Sequence, residues 1–116
     1  MRTIQLTLPY PPSVNTYWRS FRGRYYVSKE GQDFKKKVAL MAGQQKPFPG
    51  TVVVKMDVYR PRKIGDLDNT MKALMDSLKG IAFNDDKQIV HIIASRFDDK
   101  ANPRTEVSIW EGGPRG

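Results

Sequence analysis

Hydrophobic and polar positions alternate from the start of the chain. Ile4, Leu6 and Leu8 interleave with Thr3, Gln5 and Thr7, which predicts a half-buried strand. Pro9, Pro11 and Pro12 end it, because proline offers no N–H to a ladder. Residues 9–28 carry no clear period and read as a long irregular segment or loose hairpin, rich in aromatics and arginine. The period then becomes helical. Phe34, Val38 and Met41 follow Ser28, a suitable N-cap, so a helix should begin near Lys29 and end between Gly43 and Lys46. TVVVKMDVY, residues 51–59, is β-branched and apolar and predicts a central strand. Leu67, Met71, Leu74, Met75 and Leu78 recur at i, i+4, i+7, i+8 and i+11, an amphipathic helix closed at Gly80. QIVHIIASRF reads as a strand, DDKANP as a turn, RTEVSIW as the last strand and EGGPRG as a frayed tail.

The order β-α-β-α-β-β predicts an α+β fold, with a mixed β-sheet and two helices packed on one face. Its 116 residues, without repeat, linker or low-complexity segment, fit a single domain over 1–116. No apolar run approaches the length that spans a bilayer, and MRTIQLTLPYPP lacks the features of a signal peptide. With no cysteine there is no disulfide framework and no thiolate metal site. A cytoplasmic protein without a membrane partner is the expectation.

Charge changes the picture. Twenty Lys and Arg against twelve Asp and Glu give a net charge of +8, which favours a polyanionic partner through counterion release. Yet GDLDNTMKALMDSLKGIAFNDDKQIV, residues 65–90, gathers Asp66 with Asp68 and Asp85 with Asp86. Such groups repel one another unless a cation sits among them.

Two residues apart on an ideal helix diverge by about 200° and cannot share a ligand. In an extended segment they point the same way. If Asp66 and Asp68 act together, Asp66-Leu67-Asp68 is therefore extended and the helix starts near Asp68 or Asn69, beside an N-terminus that favours negative charge. Lys72 then lies one turn after Asp68. A helix over 69–79 is roughly 16 Å long, so the loop at 80–86 must fold back for the second pair to meet the first. A converging set of carboxylates without His or Cys suits Mg²⁺, or Mn²⁺ as an alternative. In a basic domain that chemistry points to phosphodiester hydrolysis, with a lysine stabilising developing charge. Taken singly, Asp66 or Asp68 reads equally as an N-cap, Asp68 with Lys72 as a surface pair, and Asn84-Asp85-Asp86-Lys87 as a polar turn.

The stretch Asp66-Leu67-Asp68-Asn69, with Lys72, Asp76 and Asn84-Asp85-Asp86 before Gln88-Ile89-Val90, resembles the signature of RusA-type Holliday junction resolvases. LPYPPSVNTYWR and RGRYYVS are similar to that family's opening, so the resemblance covers roughly residues 4–36 and 51–95. It implies a homodimeric endonuclease that cuts four-way DNA junctions by symmetrically paired nicks with Mg²⁺, often phage or prophage encoded. By motif position Asp66, Asp68 and Asp86 would be catalytic and metal-binding, Lys72 the essential lysine, and Asp85 a further candidate ligand. Two-fold symmetry in such a dimer would match that of the junction.

Arg19, Arg22 and Arg24, interleaved with Tyr17, Trp18, Phe21, Tyr25 and Tyr26, suggest a DNA-contacting arm. Its rings read equally as core or dimer contacts. Arg60, Arg62 and Lys63 precede the acidic stretch and are candidates to grip the scissile strand. Lys35-Lys36-Lys37 reads as the exposed face of the first helix, His91 as structural, and Trp110 as core or interface. Two rivals stand beside a junction resolvase: a structure-selective nuclease for flaps or forks, and a basic DNA-binding module that does not cut. Converging carboxylates separate them, because a pure binder has no use for groups that repel phosphate.

Overall fold

A computed structural model describes residues 2–61 and 67–112, apart from the side chains of Val14, Asp68 and Asn69. The elements are β1 (Thr3–Pro9), a single-turn α1 (Val14–Tyr17), β2 (Trp18–Phe21), β3 (Arg24–Val27), α2 (Lys29–Ala42), β4 (Val52–Arg60), α3 (Leu67–Leu78), a 3₁₀ turn (Asp86–Gln88), β5 (Ile89–Asp98) and β6 (Arg104–Glu111). The last four residues of the tail expected to fray lie outside the description.

Four strands form one sheet in the order β1-β6-β4-β5, with β4 and β5 parallel and the other pairs antiparallel. The sheet is mixed, as expected. The parallel pair is bridged by α3, the crossover that parallel strands require. Alternation then sorts the two faces. Ile4, Leu8, Val54, Met56, Val58, Val107 and Ile109 point to the side covered by Phe34 and Val38 of α2 and Leu74 and Leu78 of α3. On the opposite side Gln5, Thr7, Lys55, Asp57, Glu106 and Ser108 line a shallow polar hollow. Both longer helices thus pack on one face.

The segment read as irregular or a loose hairpin does contain a hairpin. β2 and β3 pair as a hairpin with Phe21 opposite Arg24. Its two-residue turn, Arg22-Gly23, has positive φ at both positions (51° and 76°), as a type I′ turn needs. α2 begins where expected: the Ser28 hydroxyl accepts from the Gly31 N–H at 3.0 Å. It ends at Ala42 with Gly43 at φ 68°. Met41, expected on the buried face, is 53% exposed. Ala42 takes the inward position instead, continuing Phe34 and Val38 at i+4 steps.

Candidate active site

α3 opens at Leu67, one or two residues earlier than the extended Asp66-Leu67-Asp68 geometry requires. The apolar stripe explains the difference. Leu67 already packs on the core, so the helix starts where its buried face starts, and Asp68 falls in the first turn. At the other end the chain turns back sharply. Ala82 N–H bonds the Leu78 carbonyl at 3.0 Å, and Gly80, at φ 88°, donates to the Phe83 carbonyl at 2.7 Å. Ala82 and Phe83 are fully buried and anchor the return. The loop at 80–86 does fold back, and it carries Asp86 to the cleft that Lys72 lines.

The two aspartates that end this loop have different partners. The Asp85 carboxylate accepts from the Lys87 N–H at 2.9 Å and closes a capping box with Gln88, whose Oε1 accepts from the Asp85 N–H at 3.0 Å. Gln88 also donates to the carbonyls of Phe48 and Gly50 at 2.6 and 2.8 Å, fixing the turn to the segment before β4. Asp85 is thus the cap, while Asp86 lines the cleft.

That cleft has a volume of about 550 Å³. Lys72, Asp76 and Asp86 supply charge, and Trp18, Met71, Met75, Ile89 and Ile92 supply apolar wall. Lys72 and Asp76 are one helical turn apart, so one face of α3 presents both. Asp76 is held from two sides. The Tyr17 hydroxyl donates to its Oδ2 at 2.5 Å, and Lys35 Nζ of α2 lies 3.6 Å from the same oxygen. Burial, then the hydrogen bond to Asp76 and that group's negative charge, push the Tyr17 phenol well above the usual phenol range. Sequence reasoning gave Asp76 no role beyond the motif. Its i+4 spacing from Lys72 was the available signal, while Tyr17, 59 residues away, was not foreseeable as its partner.

Carboxylates and a lysine share one cleft of a basic chain, and comparison with known proteins decides the family. The model of the family described as Endodeoxyribonuclease RusA matches residues 9–110. The chain belongs to the RusA endodeoxyribonuclease family. The crossover junction endodeoxyribonuclease RusA of Enterobacteria phage HK97 is 39% identical, over 85% of this chain and 80% of its own. The proteins of the same name from Escherichia coli strain K12 and Enterobacteria phage 82 are 37% and 36% identical, each over 97% of this chain and 98% of their own.

For this RusA family member the remaining predicted site residues divide. Asp66, Arg62 and Lys63 lie outside the described residues, as does the side chain of Asp68. Among the described residues no three His, Cys, Asp or Glu converge as a metal-holding group. Arg19 and Arg24 are exposed on the β2–β3 hairpin, and the Arg22 guanidinium lies 5.2 Å from the centre of the Phe21 ring at its tip. The neighbouring aromatics separate by depth. Tyr17 is core, Trp18 lines the cleft, and Phe21, Tyr25 and Tyr26 are 63%, 82% and 52% exposed.

Arg60, expected among the DNA contacts, is turned inward. It is 8% exposed, and its Nε and Nη2 reach Asp98 Oδ1 at 2.9 and 2.8 Å. Strand alternation turns Arg60 to the helix-covered face, and register sets it beside Asp98 on β5. Lys35 is half-buried in its pair with Asp76, whereas Lys36 and Lys37 are exposed. His91 is exposed on β5, and Trp110 is half-buried on β6. No helix among the described residues is long and apolar enough to cross a membrane.

Proposed function

We propose that this protein is a Mg²⁺-dependent endodeoxyribonuclease that resolves four-way, or Holliday, DNA junctions by symmetrically paired nicks. It acts as a homodimer on branched DNA in recombination and repair, in the bacterial cytoplasm. The observation that carries the reading is the meeting on one cleft of Lys72, from α3, and Asp86, from the 3₁₀ turn that follows the fold-back. Family membership and the relatives named crossover junction endodeoxyribonuclease support the substrate class.

Asp66, Asp68 and Asp86 would hold the metal. The donor set fits a hard cation: Asp86 offers carboxylate oxygen, the chain has no cysteine, and the single histidine, His91, does not line the cleft. When bound, Mg²⁺ or Mn²⁺ supplies an activated water and neutralises charge on the phosphate. Lys72 holds a positive charge where negative charge develops on the scissile phosphate or leaving oxygen. Arg19, Arg22 and Arg24 grip flanking phosphates from the hairpin, positioning DNA without reading its sequence.

Two strands must be cut, and one chain of 116 residues carries one such site. A two-fold dimer supplies both sites in the symmetry of the junction. At the sheet edge, β5 exposes Val90, Ile93 and Phe97, an apolar border for a second copy to cover. The Asp68→Asn variant tests the metal assignment. It should keep or tighten junction binding, because repulsion is removed, and lose cutting. Unchanged cutting would remove Asp68 from the site.

A further inference from the structure

Phosphate contact accounts for the arginines of the β2–β3 hairpin but not for its exposed rings. Residues directly opposite each other on two paired strands share a face. Trp18 with Val27 and Ser20 with Tyr25 make one face of the hairpin, and Arg19 with Tyr26 and Phe21 with Arg24 make the other. Trp18 and Val27 pack against the core, so the first face is turned inward at its base. The second face alternates ring and guanidinium, with Phe21 diagonal to Tyr26 and Arg19 diagonal to Arg24. All four residues are exposed, and no acidic residue lies between Trp18 and Val27. A ring stabilises a fold by being buried, and these two are not, so the fold does not account for them. The turn adds a third cation. Arg22 holds φ 51°, where glycine or asparagine meets less strain, and its guanidinium lies over the Phe21 ring.

We infer that Phe21 and Tyr26 stack on DNA bases left open where a branch interrupts the duplex, with Arg19 and Arg24 on the phosphates that join those bases. The inference rests on the nuclease reading above and names a second DNA contact, on the hairpin and outside the cleft that cuts. Every base has a π-face, so the two rings favour open bases without choosing among sequences. The cations set between the rings attract the backbone that carries those bases. A continuous duplex offers phosphates but no open base face along its length. The arginines hold it, and the rings gain nothing. The hairpin thereby favours branched over linear DNA at the binding step. Tyr25, on the opposite face, takes no part.

The test compares the affinity of the full-length protein for single-stranded oligothymidylate and for an abasic strand of the same length, with a four-way junction beside them. The two strands carry the same phosphates and differ only in their bases. Oligothymidylate should bind roughly tenfold or more tightly. Phe21→Ala and Tyr26→Ala should each remove most of that difference and weaken junction binding, and Tyr25→Ala should preserve it. Arg24→Ala should weaken both strands alike. If Tyr26→Ala does not fold, Tyr26→Leu keeps an apolar group on the strand and removes the ring. Equal affinity of the parent protein for the two strands overturns the stacking contact. Loss of the difference in Tyr25→Ala overturns the assignment of faces. A Phe21→Ala or Tyr26→Ala protein that passes from dimer to monomer gives the rings to a subunit contact and overturns the inference. Cutting of the junction with Mg²⁺ is read in parallel. A protein that cuts no junction but keeps the base-dependent difference overturns the nuclease reading and keeps the ring contact.

Discussion

The Tyr17 hydroxyl donates a hydrogen bond of 2.5 Å to Asp76 Oδ2, joining the turn before the arginine hairpin to the helix that carries Lys72. Lys35 reaches the same oxygen from α2, so three helices meet at one carboxylate. Trp18, next in sequence, is thereby fixed against the cleft.

Removing that hydroxyl leaves a partly buried carboxylate short of one donor. Tyr17→Phe should lower stability by about 1–2 kcal/mol, read as a shift of the urea midpoint without a change in slope. It should also alter the alkaline limb. The Tyr17 phenol ionises at higher pH in the fold than in the unfolded chain, so its contribution is complete below the ordinary phenol range. That contribution declines as pH rises above the range, and the Phe variant should lose this part of the slope.

Asp85 and Asp86 should separate cleanly. Asp85→Ala removes the cap of the 3₁₀ turn and should cost about 1 kcal/mol while junction cutting survives. Asp86→Asn should leave the melting temperature within a few degrees of the parent and abolish cutting. Thermal melts and a junction assay on the two variants read both effects.

Gly31 sits where α2 crosses the end of α1. A Cβ there would come within 2.6 Å of the Tyr17 carbonyl oxygen and 2.7 Å of Val27 Cγ1. The carbonyl cannot move freely, because it also accepts from the Ser28 N–H at 2.8 Å. Gly31→Ala should therefore destabilise by about 1–3 kcal/mol despite its better helix propensity. Chemical denaturation measures it.

Thr105 is fully buried in β6, and its hydroxyl has no hydrogen-bond partner among the described residues. Its cross-strand neighbours are Leu8 and Val58. Thr105→Val keeps the branched shape and removes an unmet polar group, so it should be neutral or stabilise by about 1 kcal/mol. An upward shift in melting temperature is the expected readout.

Where one period ran long enough to bury a face, the chain announced its elements. Leu67 to Leu78 marked α3, and Ser28 marked the start of α2 through its hydroxyl. The hairpin was less legible because its turn places Arg22, not an asparagine or glycine, at positive φ. Arg60 looked like one of three cations free to grip a DNA strand. The alternation of β4 from Val52 already placed it on the covered side, and its match with Asp98 needed the register of β5. Asp85 and Asp86 are identical as letters. The backbone turn that Gln88 pins to residues 48–50 separates a cap from a cleft-lining carboxylate, and that contact is long-range. The fold-back that brings Asp86 to Lys72 was foreseeable only as a requirement, since burial of Ala82 and Phe83 enforces it.

The measurement that bears most directly on the account is cutting of a sequence-varied synthetic four-way junction with Mg²⁺ and with EDTA, beside a matched linear duplex and a flap. Paired nicks confined to the junction and lost in EDTA are the predicted result. Junction binding without cutting, or preferential cutting of the flap, would contradict it.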